Sequence, residues 1–239
     1  MALREQLAEK TDWVPVHEPA AAHTHAALRL VDSSAWAPRA VATRSLLAKR
    51  LTDVVVSLLL VILLAPLFLL VALAIRFDSP GAAMFRQWRI GLDGKDFRIW
   101  KFRTLTVTED GDDITQVTSQ DPRVTRIGRF LRRASIDELP QLINVLRGEM
   151  SLVGPRPHAR AHDRYFAERI ENYALRHRVK PGLTGWAQVN GRRGETATLE
   201  EMCRRVGFDL WYVRQARFTL DLRILFATPR VVLLGRNAW

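Results

Sequence analysis

Arg132-Arg133-Ala134-Ser135-Ile136-Asp137-Glu138-Leu139-Pro140 sets two guanidinium groups immediately before two adjacent carboxylates. An aspartate can attack phosphorus and form an acyl phosphate. A neighbouring glutamate can hold Mg²⁺ beside substrate phosphates. Arginines neutralise charge on a transferring phosphoryl group. The segment therefore points to phosphoryl chemistry, with Asp137 and Glu138 catalytic and Glu138 the metal ligand. The acids also have an ordinary use. With Asp137 as N-cap of a helix over residues 137–147, Pro140 falls in the first turn, where its missing N–H costs nothing. Ser135 and Glu138 would also fit a capping box. A helix start attracts anions in either case. Capping accounts for the acids but not for the cations beside them.

Two further segments carry candidate contacts. Val153-Gly154-Pro155-Arg156-Pro157 presents Arg156 between two prolines, which restrict its backbone. Residues 180–192 combine glycines, Trp186, Gln188, Asn190 and Arg192, a set able to hold a base and a sugar by stacking and hydrogen bonding. Each segment also reads as a plain structural turn. Asp110-Gly111-Asp112 mimics the D-x-D metal motif of glycosyltransferases, although a solvated polar loop is the simpler reading. His17, His23 and His25 lack a cysteine or carboxylate cluster to complete a metal site. There is no C-x-x-C pair, Walker phosphate loop or dinucleotide fingerprint.

The elements that must position these residues begin with a membrane segment. Residues 54–75 contain no charge, and Pro66 lies near their middle. A helix of that length, roughly 33 Å, covers a bilayer core of about 30 Å. Basic residues flank both ends (Lys49 and Arg50 before, Arg76, Arg86 and Arg89 after), so neither end is marked as the far side of a span. Pro66 kinks a helix. Both features predict a re-entrant helical hairpin that returns to its face of entry, with the break at Ala65 and Pro66. The run is too long and starts too late for a cleavable signal peptide. Residues 1–43, rich in Ala, His and Pro, read as a disordered tail.

After the apolar run, residues 84–90 and 97–103 predict a β-hairpin about the turn Gly91-Leu92-Asp93-Gly94. Arg123, Arg126, Arg129, Arg132 and Arg133, with Val124, Ile127, Phe130 and Leu131 at helical spacing, predict an amphipathic helix suited to a membrane surface. Further helices are expected over residues 159–177, 199–215 and 220–234. The fold class is α+β and mainly helical: a tail (1–43), a re-entrant membrane helix (44–78) and a catalytic domain with interfacial helices and a small hairpin (79–239). The formal net charge of +11 suits lipid head groups and phosphates beside a membrane segment. A single cysteine, Cys203, rules out an internal disulfide and agrees with a reducing, cytosolic location.

Taken together, these motifs resemble the bacterial sugar transferase family, the monotopic polyprenyl-phosphate phosphoglycosyl transferases that start exopolysaccharide, capsule or O-antigen synthesis. The resemblance runs from Arg44 to Trp239. It rests on Lys49-Arg50 with Asp53, Phe77-Asp78-Ser79-Pro80-Gly81, Phe85-Arg86-Gln87, Lys101-Phe102-Arg103-Thr104, the Ser135 to Leu142 segment, the two loops above and the ending Gly235-Arg236-Asn237-Ala238-Trp239. It implies a ping-pong transfer at the cytosolic face of a bacterial inner membrane. Asp137 would take the phosphosugar of a UDP-sugar, releasing UMP, and a polyprenyl phosphate would then collect it. Glu138 matches the carboxylate associated with Mg²⁺ and Arg132 the arginine proposed to hold lipid phosphate, while Arg156 and Arg192 sit in loops linked to substrate phosphate or nucleotide. The family's re-entrant helix breaks at Ser-Pro, whereas this chain has Ala65-Pro66. Larger members add spanning helices, so the chain resembles the minimal catalytic form.

The resemblance favours a hexose-1-phosphate donor, UDP-glucose or UDP-galactose, over a UDP-N-acetylhexosamine. A D-x-D glycosyltransferase would instead release UDP and depend on Asp110 and Asp112. A non-enzymatic basic membrane protein would show salt-sensitive nucleic-acid binding, and the lack of any nucleic-acid motif speaks against that partner. The oligomeric state is not legible in the sequence.

Overall fold

The computed structural model describes residues 43–106, 117–118, 121–194, 196 and 198–233. The expected tail, its histidines, the Asp110–Asp112 motif and the ending at Trp239 lie outside the described residues.

The described residues open with α1, Thr43–Asp78, the one described helix long and apolar enough to cross a membrane. At 1.5 Å per residue its 36 residues extend roughly 54 Å. Ala65 and Pro66 are helical, as are the residues on both sides. The break expected at this pair is therefore not an interruption: proline removes one hydrogen bond and the neighbouring turns carry on. One stripe of α1 packs on the rest of the chain. Val56, Leu60 and Val61 join the main core, and Leu67, Phe68, Val71, Ala72 and Ile75 join a second cluster with Phe102 and Leu131. The other side is bare, with Leu59, Ile62, Leu63, Leu69 and Leu70 all more than 60% exposed.

Strands β1 (Met84–Ile90) and β2 (Asp96–Phe102) form the predicted hairpin, in the register Phe85↔Lys101, Gln87↔Ile99 and Arg89↔Phe97 on one face. The turn is a 3-10 turn over Leu92–Gly94, where Asp93 and Gly94 take positive φ of 53° and 76°. Because side chains alternate along a strand, burying Phe97 and Ile99 turns Lys101 inward as well. Arg86, Trp88, Arg98 and Trp100 occupy the opposite face in cross-strand arginine–tryptophan pairs.

The basic amphipathic helix is α2, Arg126–Ala134, capped by the Thr125 hydroxyl, which accepts from the Gly128 N–H at 2.9 Å. Residues 121–123 form a turn instead, closed by the Asp121–Arg123 ion pair. The helix expected over residues 137–147 is in fact a 3-10 turn, Ile136–Gln141, followed by the short helix α3, Leu142–Arg147. Ser135, left-handed at φ 56°, ends α2 and turns the chain at once into that tight turn. Then follow β3 (Ser151–Val153), α4 (Arg160–Ala167), a 3-10 turn (Tyr173–Arg178), β4 (Gly182–Thr184), α5 (Trp186–Val189), α6 (Leu199–Gln215) and α7 (Phe218–Leu233). The single helix expected over residues 159–177 is two elements: α4 ends at Ala167, and the 3-10 turn starts only after left-handed Asn172.

Parallel pairing of β3 with β4 joins Ser151 to Gly182 and Val153 to Thr184. The two loops read separately in the sequence thus leave one small sheet side by side. A Cβ on Gly154 would collide with the Lys180 carbonyl and the Pro181 backbone, and one on Gly185 with the Gly154 carbonyl, so only glycine allows this approach.

Candidate active site

Asp137 and Glu138 share the 3-10 turn, and both are buried. Neither caps a helix. Ser135, the residue before the turn, makes no side-chain cap, and its hydroxyl instead accepts from an Arg193 guanidinium N–H. The capping box is not formed either, because cations occupy Glu138. Arg156 donates from Nη1 to Oε2 at 2.9 Å and from Nη2 to Oε1, while Lys101 Nζ donates to Oε1 at 2.8 Å. Burial alone would raise the Glu138 carboxyl, but Arg156 and then Lys101 overcome it and hold the group well below the usual carboxylate range. Glu138 in turn keeps Arg156 protonated, raising its affinity for the proton.

Asp137 is the opposite case. Among the described residues its carboxylate accepts no hydrogen bond and forms no ion pair within 4 Å. Burial, and then repulsion from Glu138, push it up to about 6, against the attraction of Lys101, Arg132 and Arg156. At neutral pH this leaves a largely ionised, poorly solvated carboxylate with its oxygens uncommitted. A nucleophile directed at an electron-poor centre needs that condition.

Arg132 projects from the last turn of α2, beside Thr104 Oγ1 at 3.4 Å, where both acids attract its charge. Arg132 and Arg156, both singled out in the sequence, thus meet at the acid pair. The third predicted arginine does not. Arg192 makes only a main-chain bond to the Ala187 carbonyl among the described residues, and its neighbour Arg193 supplies the cation, held at Ser135 and attracted by both acids. Gln188 donates to the Leu183 carbonyl at 3.2 Å and Asn190 to the Trp186 carbonyl at 2.8 Å. The structure thus places these two amides in the loop's own scaffold, with no bond to the acid turn.

Sequence reasoning missed two residues, Lys101 and Arg193. The first had a signal, since residues 97, 99 and 101 share one face of a strand whose other members are apolar. The second had none, because the choice between adjacent arginines is made by the path of the loop.

The ligand atoms the acid turn itself offers a metal are carboxylate oxygens, which are hard donors. Among the described residues no group of three or more His, Cys, Asp or Glu is placed to hold a metal ion. Mg²⁺ commonly takes one or two carboxylates and completes its shell with water and substrate phosphates. Asp137 and the remaining lone pair of Glu138 Oε2 fit that limited demand and would not fit a closed protein cage.

A family model described as bacterial sugar transferase matches residues 44–235. The chain is 54% identical over 182 residues to an Escherichia coli protein named UDP-glucose:undecaprenyl-phosphate glucose-1-phosphate transferase, covering 76% of this chain and 39% of that one. It is 55% identical over 193 residues to a Caulobacter vibrioides protein of the same name, covering 81% of this chain and 72% of that one. An Aeromonas hydrophila protein named UDP-N-acetylgalactosamine-undecaprenyl-phosphate N-acetylgalactosaminephosphotransferase is 40% identical over 190 residues, covering 80% and 44%. The chain therefore spans about two fifths of the Escherichia coli relative's length. The matched stretch includes α1, the acid turn and both loops, and on that match the chain belongs to the bacterial sugar transferase family.

Proposed function

We propose that this protein transfers a sugar-1-phosphate from a UDP-sugar to undecaprenyl phosphate, releasing UMP through an aspartyl-phosphosugar intermediate. The observation that carries this reading is the state of Asp137, a buried carboxylate without hydrogen bond or ion pair among the described residues, ringed by Lys101, Arg132, Arg156 and Arg193. In the first step an Asp137 oxygen attacks the sugar-bearing phosphorus of the donor. The bond from that phosphorus to the bridging oxygen breaks, and UMP departs with the electron pair. In the second step a phosphate oxygen of the lipid attacks the same phosphorus, the acyl phosphate bond breaks, and the Asp137 carboxylate is restored. The charge on the phosphoryl oxygens in both steps falls among the surrounding cations, already fixed by the fold. Bound Mg²⁺, held by Asp137 or Glu138 with the substrate phosphates, would supply further neutralisation of phosphate charge.

Arg132, at the end of α2, is the proposed contact for lipid phosphate, and Arg156 and Arg193 for donor phosphates. Gln188, Asn190 and Arg192 are proposed to line the nucleotide or sugar side of their loop. UDP-glucose is the proposed donor: the relatives named for it are 54% and 55% identical, against 40% for the one named for the N-acetylgalactosamine donor. The product would start a surface polysaccharide.

The proposed seat is one leaflet of the inner membrane, with α1 re-entrant and the site on the cytosolic face. Support comes from the two ends of α1. Near its start, Lys49 bonds the Val153 carbonyl and Asp221, Arg50 bonds the Val145 and Leu146 carbonyls, and Asp53 accepts from Ser151 and Leu152. At its far end, Asp78 accepts from the Ile127 N–H. Both ends thus hold one domain, an arrangement suited to a helix that enters and leaves by one face. The bare apolar side of α1 and exposed Phe130 on α2 would meet lipid.

The test is UMP release from a panel of UDP-sugars with undecaprenyl phosphate and Mg²⁺. UDP-glucose is expected to give the highest rate, and Asp137→Asn to lower it by more than about 10³-fold while trapping no phosphosugar. Release of UDP, or near-normal turnover by Asp137→Asn, would overturn the reading.

A further inference from the structure

Behind the acid pair lies a second polar cluster that the transfer steps do not use. Its centre is Arg176, on the 3-10 turn Tyr173–Arg178, with a side chain only 2% exposed. Nη2 donates to the Arg156 carbonyl at 2.7 Å and to Asp209 Oδ2 at 2.7 Å. Nη1 donates to the Tyr173 hydroxyl at 2.9 Å and lies 3.5 Å from Asp163 Oδ1 and 2.8 Å from His158 Nδ1. The Tyr173 hydroxyl in turn donates to Asp163. Burial and the Arg176 charge keep His158 neutral, well below its usual range, so Arg176 is the cation of this cluster and Asp163 and Asp209 its counter-ions.

The cluster leads back to the acids by two routes. Arg156 lies between Pro155 and Pro157, neither of which has an N–H to anchor the segment. The segment is held instead through its carbonyls: Pro155 accepts from the Gly182 N–H at 2.9 Å and Pro157 from Arg89 Nη1 at 3.2 Å, while the carbonyl of Arg156 itself accepts from Arg176. Asp209, which supports Arg176, sits on α6. One helical turn earlier on the same face, Arg205 donates to the Gly194 carbonyl, and Arg193 beside it reaches Ser135. Residues 205 and 209 of one helix thus stand behind both arginines that approach the acid turn from the two loops.

We propose that Arg176, braced on Asp209, is a positioning residue for phosphoryl transfer: it fixes the Arg156 main chain so that the guanidinium meets Glu138 with both nitrogens. This rests on the function proposed above. A fork-to-carboxylate contact needs the donor plane set as well as the charge supplied. A buried ion pair that served stability alone would not need to divide one guanidinium nitrogen between Asp209 and the carbonyl of a residue in the site.

The test is a double-mutant cycle on the full chain in lipid nanodiscs, read as kcat and KM for UMP release. Its corners are wild type, Arg176→Lys, Arg156→Lys and the double variant. Arg156→Lys is chosen because it keeps a cation and a measurable rate. Arg176→Lys is expected to lower kcat about tenfold or more, with KM for the donor within about twofold, and the loss should shrink to about threefold or less when Arg156 is already lysine. The same fold-loss in both backgrounds, or wild-type kcat in Arg176→Lys, overturns the brace. Full activity in Arg156→Lys would instead overturn the place of Arg156 in the site, and the brace with it. If Arg176→Lys does not fold, Tyr173→Phe goes through the same cycle. It removes one contact to Arg176 and leaves the ion pair with Asp209, and a smaller loss confined to the Arg156 background is expected. A loss equal in both backgrounds, or no loss at all, overturns the proposal there too.

Discussion

Asp137 and Glu138, adjacent in sequence and both buried, are driven in opposite directions: Glu138 is gripped by Lys101 and Arg156 and held far below the usual carboxylate range, while Asp137 is left uncommitted and raised to about 6. The turn that places them side by side gives partners to Glu138 and none, among the described residues, to Asp137. One acid organises the cations and the other is free to react.

The weakened acidity of Asp137 has a cost in stability with a definite sign. The folded chain holds this proton more tightly than the unfolded chain, whose reference value is 3.8. The group's contribution to stability is therefore full below that value and is lost as pH rises through about 6. Asp137→Asn should gain on the order of 1–3 kcal/mol over the parent at pH 8 in metal-free buffer, and nothing near pH 4. Unfolding midpoints of the two proteins at the two pH values measure it.

Turnover should show the same group as an acid limb. An attacking carboxylate must be ionised, so the rate of UMP release should fall as pH drops through about 6. Glu138 repels the Asp137 charge, and in Glu138→Gln the limb of the residual activity should move to lower pH. A limb that moves upward would contradict the electrostatics described.

Lys101 attracts both carboxylates from the inward face of β2. Lys101→Met should lower kcat/KM about 10- to 100-fold and shift the acid limb upward, because a cation that lowers the Asp137 value is gone. Lys101→Arg should recover part of the rate.

Cysteine labelling tests the seat of α1. In a Cys203→Ser background, single cysteines at Leu47 and Phe77, 65% and 88% exposed, should both react with an impermeant reagent in inside-out vesicles and neither in intact cells. Labelling of the two ends from opposite sides would replace the re-entrant arrangement with a span.

Gly154→Ala should destabilise the fold by about 1–3 kcal/mol, since the added methyl meets backbone that cannot move away without parting β3 from β4. The unfolding midpoint reads it directly.

Much of this could be read in the chain because local rules and the final fold agree. The hairpin follows from alternation and a Gly-Leu-Asp-Gly turn, and α6 occupies its expected residues, 199–215. The acid turn departs from the plain helix expected there because Ser135 takes a left-handed conformation that a serine rarely adopts, which residue type alone does not announce. Over residues 159–177 the helix stops at Ala167, and left-handed Asn172 leads into a separate 3-10 turn. In the site, the acids, Arg132 and Arg156 were legible from residue type and spacing. Arg193 at the acid turn, and Arg176 behind Arg156, depend on segments far apart in the chain meeting in space, and no local pattern encodes that.

The contact of Gly154 with Gly182 and Gly185 has a practical consequence for anyone testing the proposed donor choice by loop exchange. The two segments interlock backbone to backbone, so neither can change length or path alone. Chimeras that aim to alter sugar preference must exchange them together, as a single cassette.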